Sequence, residues 1–234
     1  MKVSIVITIL NSHEIVKRYL RYFKRLDLPD DVEIILIDDG SSPPLSFPNH
    51  RIMNLNIYPT EDMRPWTQAC ARNMGAEIAQ GKYLLMTDID HILSREAIMA
   101  VREFDGDKMF FTRYFAILDR HGIIKQDLKT LIRYGLPEKF VKKGTLYAGH
   151  HVNTFAIRKQ LYHDLGGYDP KWCGISSGGN HGDKHFYKKF RNCVCAKKCK
   201  ESIVGPPIYV FPGMAKCRTI DTDPLELFHN LTRG

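Results

Sequence analysis

The stretch "GKYLLMTDIDHIL" (residues 81–93) decides the reading of the fold. An apolar run, Tyr83 to Met86, meets two acids one residue apart, Asp88 and Asp90. Isolated carboxylates are costly to desolvate. A buried strand that ends in Asp-x-Asp must therefore deliver them to an edge, to water or to a cation.

The same motif recurs upstream. Residues 3–10 are β-branched and aliphatic and end at Asn11; "VEIILI" (32–37) ends at Asp38 and Asp39. Val16, Tyr19, Leu20 and Phe23 fall at i, i+3, i+4 and i+7, one face of a helix. Residues 52–57 read as a third strand, 66–79 as a helix and 82–87 as a fourth strand. Ser94 is placed to cap a helix running to about Phe104. This order predicts an α/β fold with a doubly wound, mostly parallel sheet. Ligands in such sheets gather beyond the carboxyl ends of the strands. Asn11, Asp38, Asp39, Asp88 and Asp90 would face that one crevice.

Downstream, 108–117 reads as a strand and 153–170 as a strand, a helix and a Gly-rich turn. From about Cys193 the chain reads as loop, with Pro206, Pro207 and Pro212. The expected division is one domain over 1–192, with a first half over about 1–104 and a second over about 105–192. Residues 193–234 would form an irregular, basic, Cys- and Pro-rich extension packed on it.

The 234 residues are 44% hydrophobic and 26% charged, enough for a full globular core. No segment approaches the roughly 20 apolar residues that span a bilayer. The run "VSIVITIL" leads into Asn11, His13 and Glu14 and reads as a first strand rather than a signal peptide, so the expectation is a cytoplasmic protein. Net charge is +8, and 184–200 holds seven Lys and Arg and no acid. Such a face suits phosphate-rich partners or is simply solvated. Cys193, Cys195, Cys199 and Cys217 crowd together; either they hold a structural Zn²⁺ or they are unrelated reduced thiols.

The first strand is followed by "NSHE", with no glycine, so neither a dinucleotide fingerprint nor a P-loop is present. A nucleotide's phosphates need another holder. Hard carboxylates on Asp-x-Asp bind Mg²⁺ or Mn²⁺, and that ion takes phosphate oxygens.

Four blocks in order now carry a resemblance: "IVITILNSHE" (5–14), "EIILIDDGSS" (33–42), "ARNMGAEIAQGKYLLMTDID" (71–90) and "LGGYDPKWCG…GGNHGDKHFYKKF" (165–190). Together they resemble the nucleotide-sugar-dependent glycosyltransferases of the GT-A fold, family 2 in particular. The resemblance implies a nucleotide-sugar donor held by Thr8, Ile9, Asn11, Asp38, Asp39, Arg72, Asn73 and Asp88. It implies a divalent cation on Asp90, assisted by Asp88, and an inverting transfer with Asp183 as general base. Relatives often read Gly-Gly-Glu-Asp-x-Asp in the last block; here Gly182 and His185 replace two of the acids around Asp183.

Each motif has a plainer reading. Asp38 and Asp39 are good turn residues. Asp88 and Asp90 sit near a helix start, and Asp183 has Lys184 and Lys188 as neighbours for a surface ion pair. Trp66 and Trp172 suit a core, though Trp172 in a Gly-rich turn also suits stacking on a sugar. His150 and His151 read as cleft or surface. His229 is a candidate third metal ligand and Arg233 a candidate diphosphate contact.

Trp172, His181, His185, Lys188, Lys189 and Arg191 are the candidate acceptor residues. Phe186, Tyr187 and Phe190 put aromatics among the cations, as on surfaces that track a phosphate backbone. A hydroxymethylated base in DNA would suit such a site as acceptor; a polysaccharide precursor or small glycoside is the rival. A non-catalytic nucleotide- or nucleic-acid-binding protein of the same fold is the alternative of another class, and intact Asp88, Asp90 and Asp183 speak against it.

Overall fold

A computed structural model describes residues 1–48, 50–62, 64, 67–173 and 178–212, with backbone only at 178–181. The elements run β1 (Val3–Ile9), α1 (His13–Leu26), β2 (Val32–Asp38), β3 (Leu55–Pro59), α2 (Gln68–Ile78), β4 (Tyr83–Asp88), β5 (His91–Ile92), α3 (Arg95–Arg102), β6 (Lys108–Phe115), β7 (Ile117–Leu118) and β8 (Ile124–Lys125). They continue α4 (Leu128–Arg133), α5 (Glu138–Lys142), β9 (Tyr147–Arg158), α6 (Lys159–Asp164), a 3₁₀ turn (Pro170–Trp172), α7 (Gly178–Cys195) and β10 (Ile203–Val210).

One eight-stranded sheet has the order β3-β2-β1-β4-β9-β6-β10-β5. β3, β2, β1 and β4 are parallel, with Ile9 opposite Asp38 and Thr8 opposite Asp88. Register thus brings three polar strand ends to one level. Every residue of β1, β2 and β4 is buried, as helices on both faces require, which is why these strands read as unbroken apolar runs. β9 enters antiparallel, pairing Met86 with Phe155 on one side and Phe110 with Phe155 on the other.

The two faces carry separate cores. Tyr19, Phe23, Ile98, Val101 and Phe111 pack on one, and Ala71, Ala76, Tyr162, Phe186 and Phe190 on the other. α2 lies so close to the sheet that a Cβ at Gly75 would come within 2.3 Å of Val6 Cγ1. Ser94 caps α3 as expected, its Oγ accepting from the Ala97 N–H at 3.0 Å. Asp88 and Asp90 therefore do not serve as that cap.

The loop reading beyond Cys193 is corrected. α7 runs through Cys195, and β10 lies inside the sheet between β6 and β5. Pro206 and Pro207 lack the N–H a ladder needs, and the β10–β6 register shifts between Gly205 and Ile208. The strand continues past that break, and the Phe211 N–H donates to the Asp90 carbonyl at 2.9 Å. The third strand begins at Leu55 rather than 52, and α2 begins at Gln68. Among the described residues no helix is long and apolar enough to cross a membrane.

Candidate active site

The crevice lies beyond the carboxyl ends of β1, β2 and β4. Asn11 adopts φ 50°, which a short polar side chain tolerates. Its Oδ1 accepts from the Ser42 N–H at 2.8 Å, and its own N–H donates to Ser41 Oγ at 2.9 Å. Asp38 accepts from the N–H groups of Ser41 (2.9 Å) and Leu45 (2.7 Å). These bonds are turn chemistry, and they fix the loop that presents Asp39. Asp39 is buried and accepts from Thr67 Oγ1 at 2.6 Å; burial pushes its carboxyl up to about 6, with Thr67 opposing. Ile9 is a core residue whose carbonyl accepts from the Asp39 N–H.

Arg72, on the second turn of α2, is the centre of the site. It is 1% exposed. One terminal nitrogen donates to Asp88 Oδ1 at 2.5 Å, the other to Asp183 Oδ1 at 2.8 Å and to the Tyr168 hydroxyl at 2.6 Å. Its guanidinium also lies 5.1 Å from the Tyr168 ring centroid. Burial works against the charge, but Tyr168, Asp88 and Asp183 override it and hold the group's pKa above its ordinary value. Asp88 Oδ1 accepts in addition from Gln68 Nε2 at 2.7 Å, and its Oδ2 from Asn153 Nδ2 at 3.1 Å. Thr8 Oγ1 lies 3.4 Å from the same Gln68 amide.

Asp183 sits on α7 and is 6% exposed. Its partner is Arg72, 111 residues away, and not Lys184 or Lys188. Burial raises its pKa, Arg72 opposes and Asp88 adds to the rise. A buried acid with a raised pKa on the far side of a strand-end acid is an arrangement suited to proton transfer.

Asp88, Asp90 and His91 offer ligand atoms that lie within 4.8 Å of one another. His91 Nε2 is 3.0 Å from an Arg113 guanidinium nitrogen. Arg only donates, so Nε2 accepts and the proton of a neutral ring sits on Nδ1. Nδ1 in turn is 2.8 Å from Asp90 Oδ1, without the alignment of a full hydrogen bond. His151 packs its ring 5.4 Å from that of His91, and burial, aided by His91, lowers its pKa to about 4.

Other expected residues go elsewhere. Asn73 is engaged within the protein: its Oδ1 accepts from the Tyr162 hydroxyl (2.6 Å) and the Tyr168 N–H (2.9 Å), and its Nδ2 donates to the Tyr168 carbonyl. It clamps the Gly-rich turn, where a Cβ on Gly167 would lie 2.6 Å from Asn73 Oδ1. Lys188 and Arg191 are exposed; Lys189 Nζ donates to the Gly167 carbonyl at 2.9 Å. Trp172 and His185 are half-buried with ring centroids 6.4 Å apart.

Phe186 and Phe190 are buried core residues, whereas Tyr187 between them is 43% exposed. Cys193 and Cys199 are half-buried and Cys195 exposed, and they form no cluster of three ligands among the described residues. The zinc reading thus has no support in them. Cys217, His229 and Arg233 lie outside the described residues, as do Trp66 and the His181 side chain.

Sequence reasoning missed Gln68, Asn153, Tyr168, His91 and Arg113. Gln68 precedes Arg72 by four residues, one helical turn, and that spacing could have found it. Asn153 comes from a strand far along the chain and gave no local signal.

The architecture matches known structures. S. aureus TarS 1–349 superposes with TM-score 0.54 at 16% identity, over 100% of this chain and 64% of that one. The same fragment in complex with UDP-GlcNAc gives 0.57 at 17%, over 99% and 65%. The longer S. aureus TarS gives 0.56 at 16%, over 99% of this chain and 39% of that one. The chain thus spans just under two thirds of the TarS fragment, and identities this low speak for the fold. Among curated proteins none is significantly similar in sequence. The sequence profile described as glycosyl transferase family 2 matches residues 4–166, which include every strand end of the crevice. The chain belongs to glycosyl transferase family 2.

Proposed function

We propose that this protein moves a sugar from a nucleotide-sugar donor to an acceptor hydroxyl with inversion at the anomeric carbon. The observation that carries the reading is the pair of acids on one buried guanidinium: Asp88 at the strand end and Asp183 opposite it. Family membership supports nucleotide-sugar chemistry, and TarS, of like fold, binds UDP-GlcNAc in its crystal structure. The donor half is about 1–104, which supplies Asp39, Arg72 and Asp88. The acceptor half is about 105–192, which supplies Asn153 and Asp183, and 193–234 is its extension.

Asp39 receives an N–H of the nucleotide base, and the Asn11–Ser42 turn shapes the ribose side. The donor set of the Asp88–Asp90 pair fits a divalent cation. Among the described residues Asp88 Oδ2 has a single protein donor, and the nearby oxygens are hard ligands suited to Mg²⁺ or Mn²⁺. Because Arg113 occupies the His91 Nε2 lone pair, His91 leaves the ion to the two acids, and its Nδ1 lies 2.8 Å from Asp90 Oδ1. A cation held there supplies charge neutralisation for the leaving diphosphate. In the transfer the acceptor oxygen bonds to the anomeric carbon, the bond to the diphosphate oxygen breaks, and the hydroxyl proton passes to Asp183.

Exposed Lys184, Lys188 and Arg191 on the helix of Asp183 favour an anionic acceptor, with hydroxymethylated DNA as the second reading. Burial of Phe186 and Phe190 reduces its aromatic support to the exposed Tyr187. Incubation with labelled donor and hydroxymethylated or unmodified duplex separates the two: label on saccharide acceptors alone removes DNA.

The test of the main reading is a thermal-shift screen of UDP-, GDP-, dTDP- and CMP-sugars with and without Mn²⁺. A ligand of the native state raises the melting temperature by mass action. One nucleotide class should do so, more with Mn²⁺; no shift with any class would contradict the reading.

A further inference from the structure

We propose that Arg72 is a positioning residue that couples the cation site at Asp88 and Asp90 to Asp183, so that each senses the state of the other. The inference rests on the proposed cation site and deepens it.

Among the described residues, Arg72 is the one Lys or Arg that pairs with Asp88, and also the one that pairs with Asp183. A single positive charge thus faces two negative ones, and the cluster carries a formal charge of −1. All three residues are buried, with side-chain exposures of 1% for Arg72, 11% for Asp88 and 6% for Asp183, where charge imbalance is poorly screened. The guanidinium cannot slide towards one acid without loosening from the other. Both terminal nitrogens are engaged, one on Asp88 and the other shared by Asp183 and the Tyr168 hydroxyl, while the buried Nε has no hydrogen-bond partner among the described residues.

The consequence is directional. With Asp183 in place, half of the guanidinium is held away from Asp88, and Asp88 keeps negative charge to offer a cation. Without the Asp183 charge, Arg72 neutralises Asp88 alone and competes with the ion. Linkage then requires the converse: an ion on Asp88 loosens that arm of Arg72 and strengthens its grip on Asp183. Donor-side occupancy would in this way hold the acceptor-side acid in place.

The test is Mn²⁺ alone, titrated into the full chain and followed by the electron paramagnetic resonance signal of free Mn²⁺. Asp183→Asn, nearly isosteric and uncharged, should weaken Mn²⁺ binding by about fivefold or more, the lower end of measured couplings between sites. In an Arg72→Lys background the same change should have little effect, because one ammonium serves a single acid and lacks the fork. Should the lysine variant not fold, Arg72→Gln takes its place with the same expectation. An equal loss in both backgrounds would mean that Asp183 acts directly through space, and would overturn the role of Arg72. No loss in either would overturn the coupling altogether. A parent protein that binds no Mn²⁺ would fail differently, removing the cation site and the coupling with it.

Discussion

Two buried cations, Arg72 and Lys108, live by opposite rules. Arg72 is 1% exposed and has a carboxylate on each arm. Lys108 is 4% exposed and has no carboxylate partner among the described residues. It sits among rings, with its Nζ 4.5 Å from the Phe190 centroid, 4.6 Å from Phe155, 5.5 Å from Tyr187 and 5.8 Å from Phe186. Cation–π contacts of a desolvated cation are worth about 2 kcal/mol or more, less than the cost of desolvating a full charge. Burial accordingly pulls the Lys108 pKa down to about 8, whereas that of Arg72 rises. The difference separates function from packing. Arg72 is charged because a strand-end acid, Asp88, and a helix acid, Asp183, require it, and Lys108 is tolerated because its stem and the surrounding rings fill the second core.

The largest effect that would sharpen this contrast is catalytic. Asp183→Asn should keep donor affinity and lose transfer by roughly 10²–10⁴-fold, the usual contribution of a general base. Single-turnover assays on labelled donor measure it; unchanged turnover would return Asp183 to a structural partner of Arg72.

The next effect is on stability. Arg72→Met strands two buried carboxylates and should lower the unfolding free energy by about 3–5 kcal/mol in urea at pH 7. Lys108→Met removes a charge that burial disfavours, so stability at pH 7 should hold level or rise by about 1–3 kcal/mol. Comparable losses in the two variants would erase the distinction.

Lys108 also predicts a pH signature. Its folded pKa lies below the ordinary 10.5, so between about pH 8 and 10.5 the unfolded chain binds more protons. Its contribution is present above that window and lost as pH falls through about 8. The parent should therefore gain up to about 3 kcal/mol relative to Lys108→Met across that range. Parallel stability curves for the two proteins would show that Lys108 is not desolvated.

A smaller effect concerns Asp39. Its carboxyl is raised to about 6, and the ionised form is the stronger acceptor for a base N–H. Nucleotide affinity should rise by up to about tenfold from pH 5 to pH 7, and Asp39→Asn should abolish the slope.

Much of this was legible in the sequence for definite reasons. β1, β2 and β4 are buried on both faces, so they read as continuous apolar runs, and their polar ends stand out against them. Register then made the crevice predictable, because parallel neighbours end at one level. The bonds of Asn73 to Tyr162 and Tyr168 were hidden because helix position alone does not say which strand or turn its amide reaches. β10 was hidden because Pro206 and Pro207 interrupt the pattern, although the sheet absorbs them as a register break. Phe186 and Phe190 looked like parts of a basic surface because they alternate with lysines. On α7 they fall four apart on the buried face, while Lys184, Lys188 and Arg191 stay exposed.

The most direct test of the account is a calorimetric titration of nucleotide-sugar into the parent and into Asp90→Ala, each with Mn²⁺ and with EDTA. If Asp88 and Asp90 hold a cation that holds the diphosphate, the parent should bind tightly only with Mn²⁺. Loss of the Asp90 ligand should weaken binding at least about tenfold. Equal affinities for both proteins, unchanged by EDTA, would contradict the cation site and leave the Asp-x-Asp pair as loop structure.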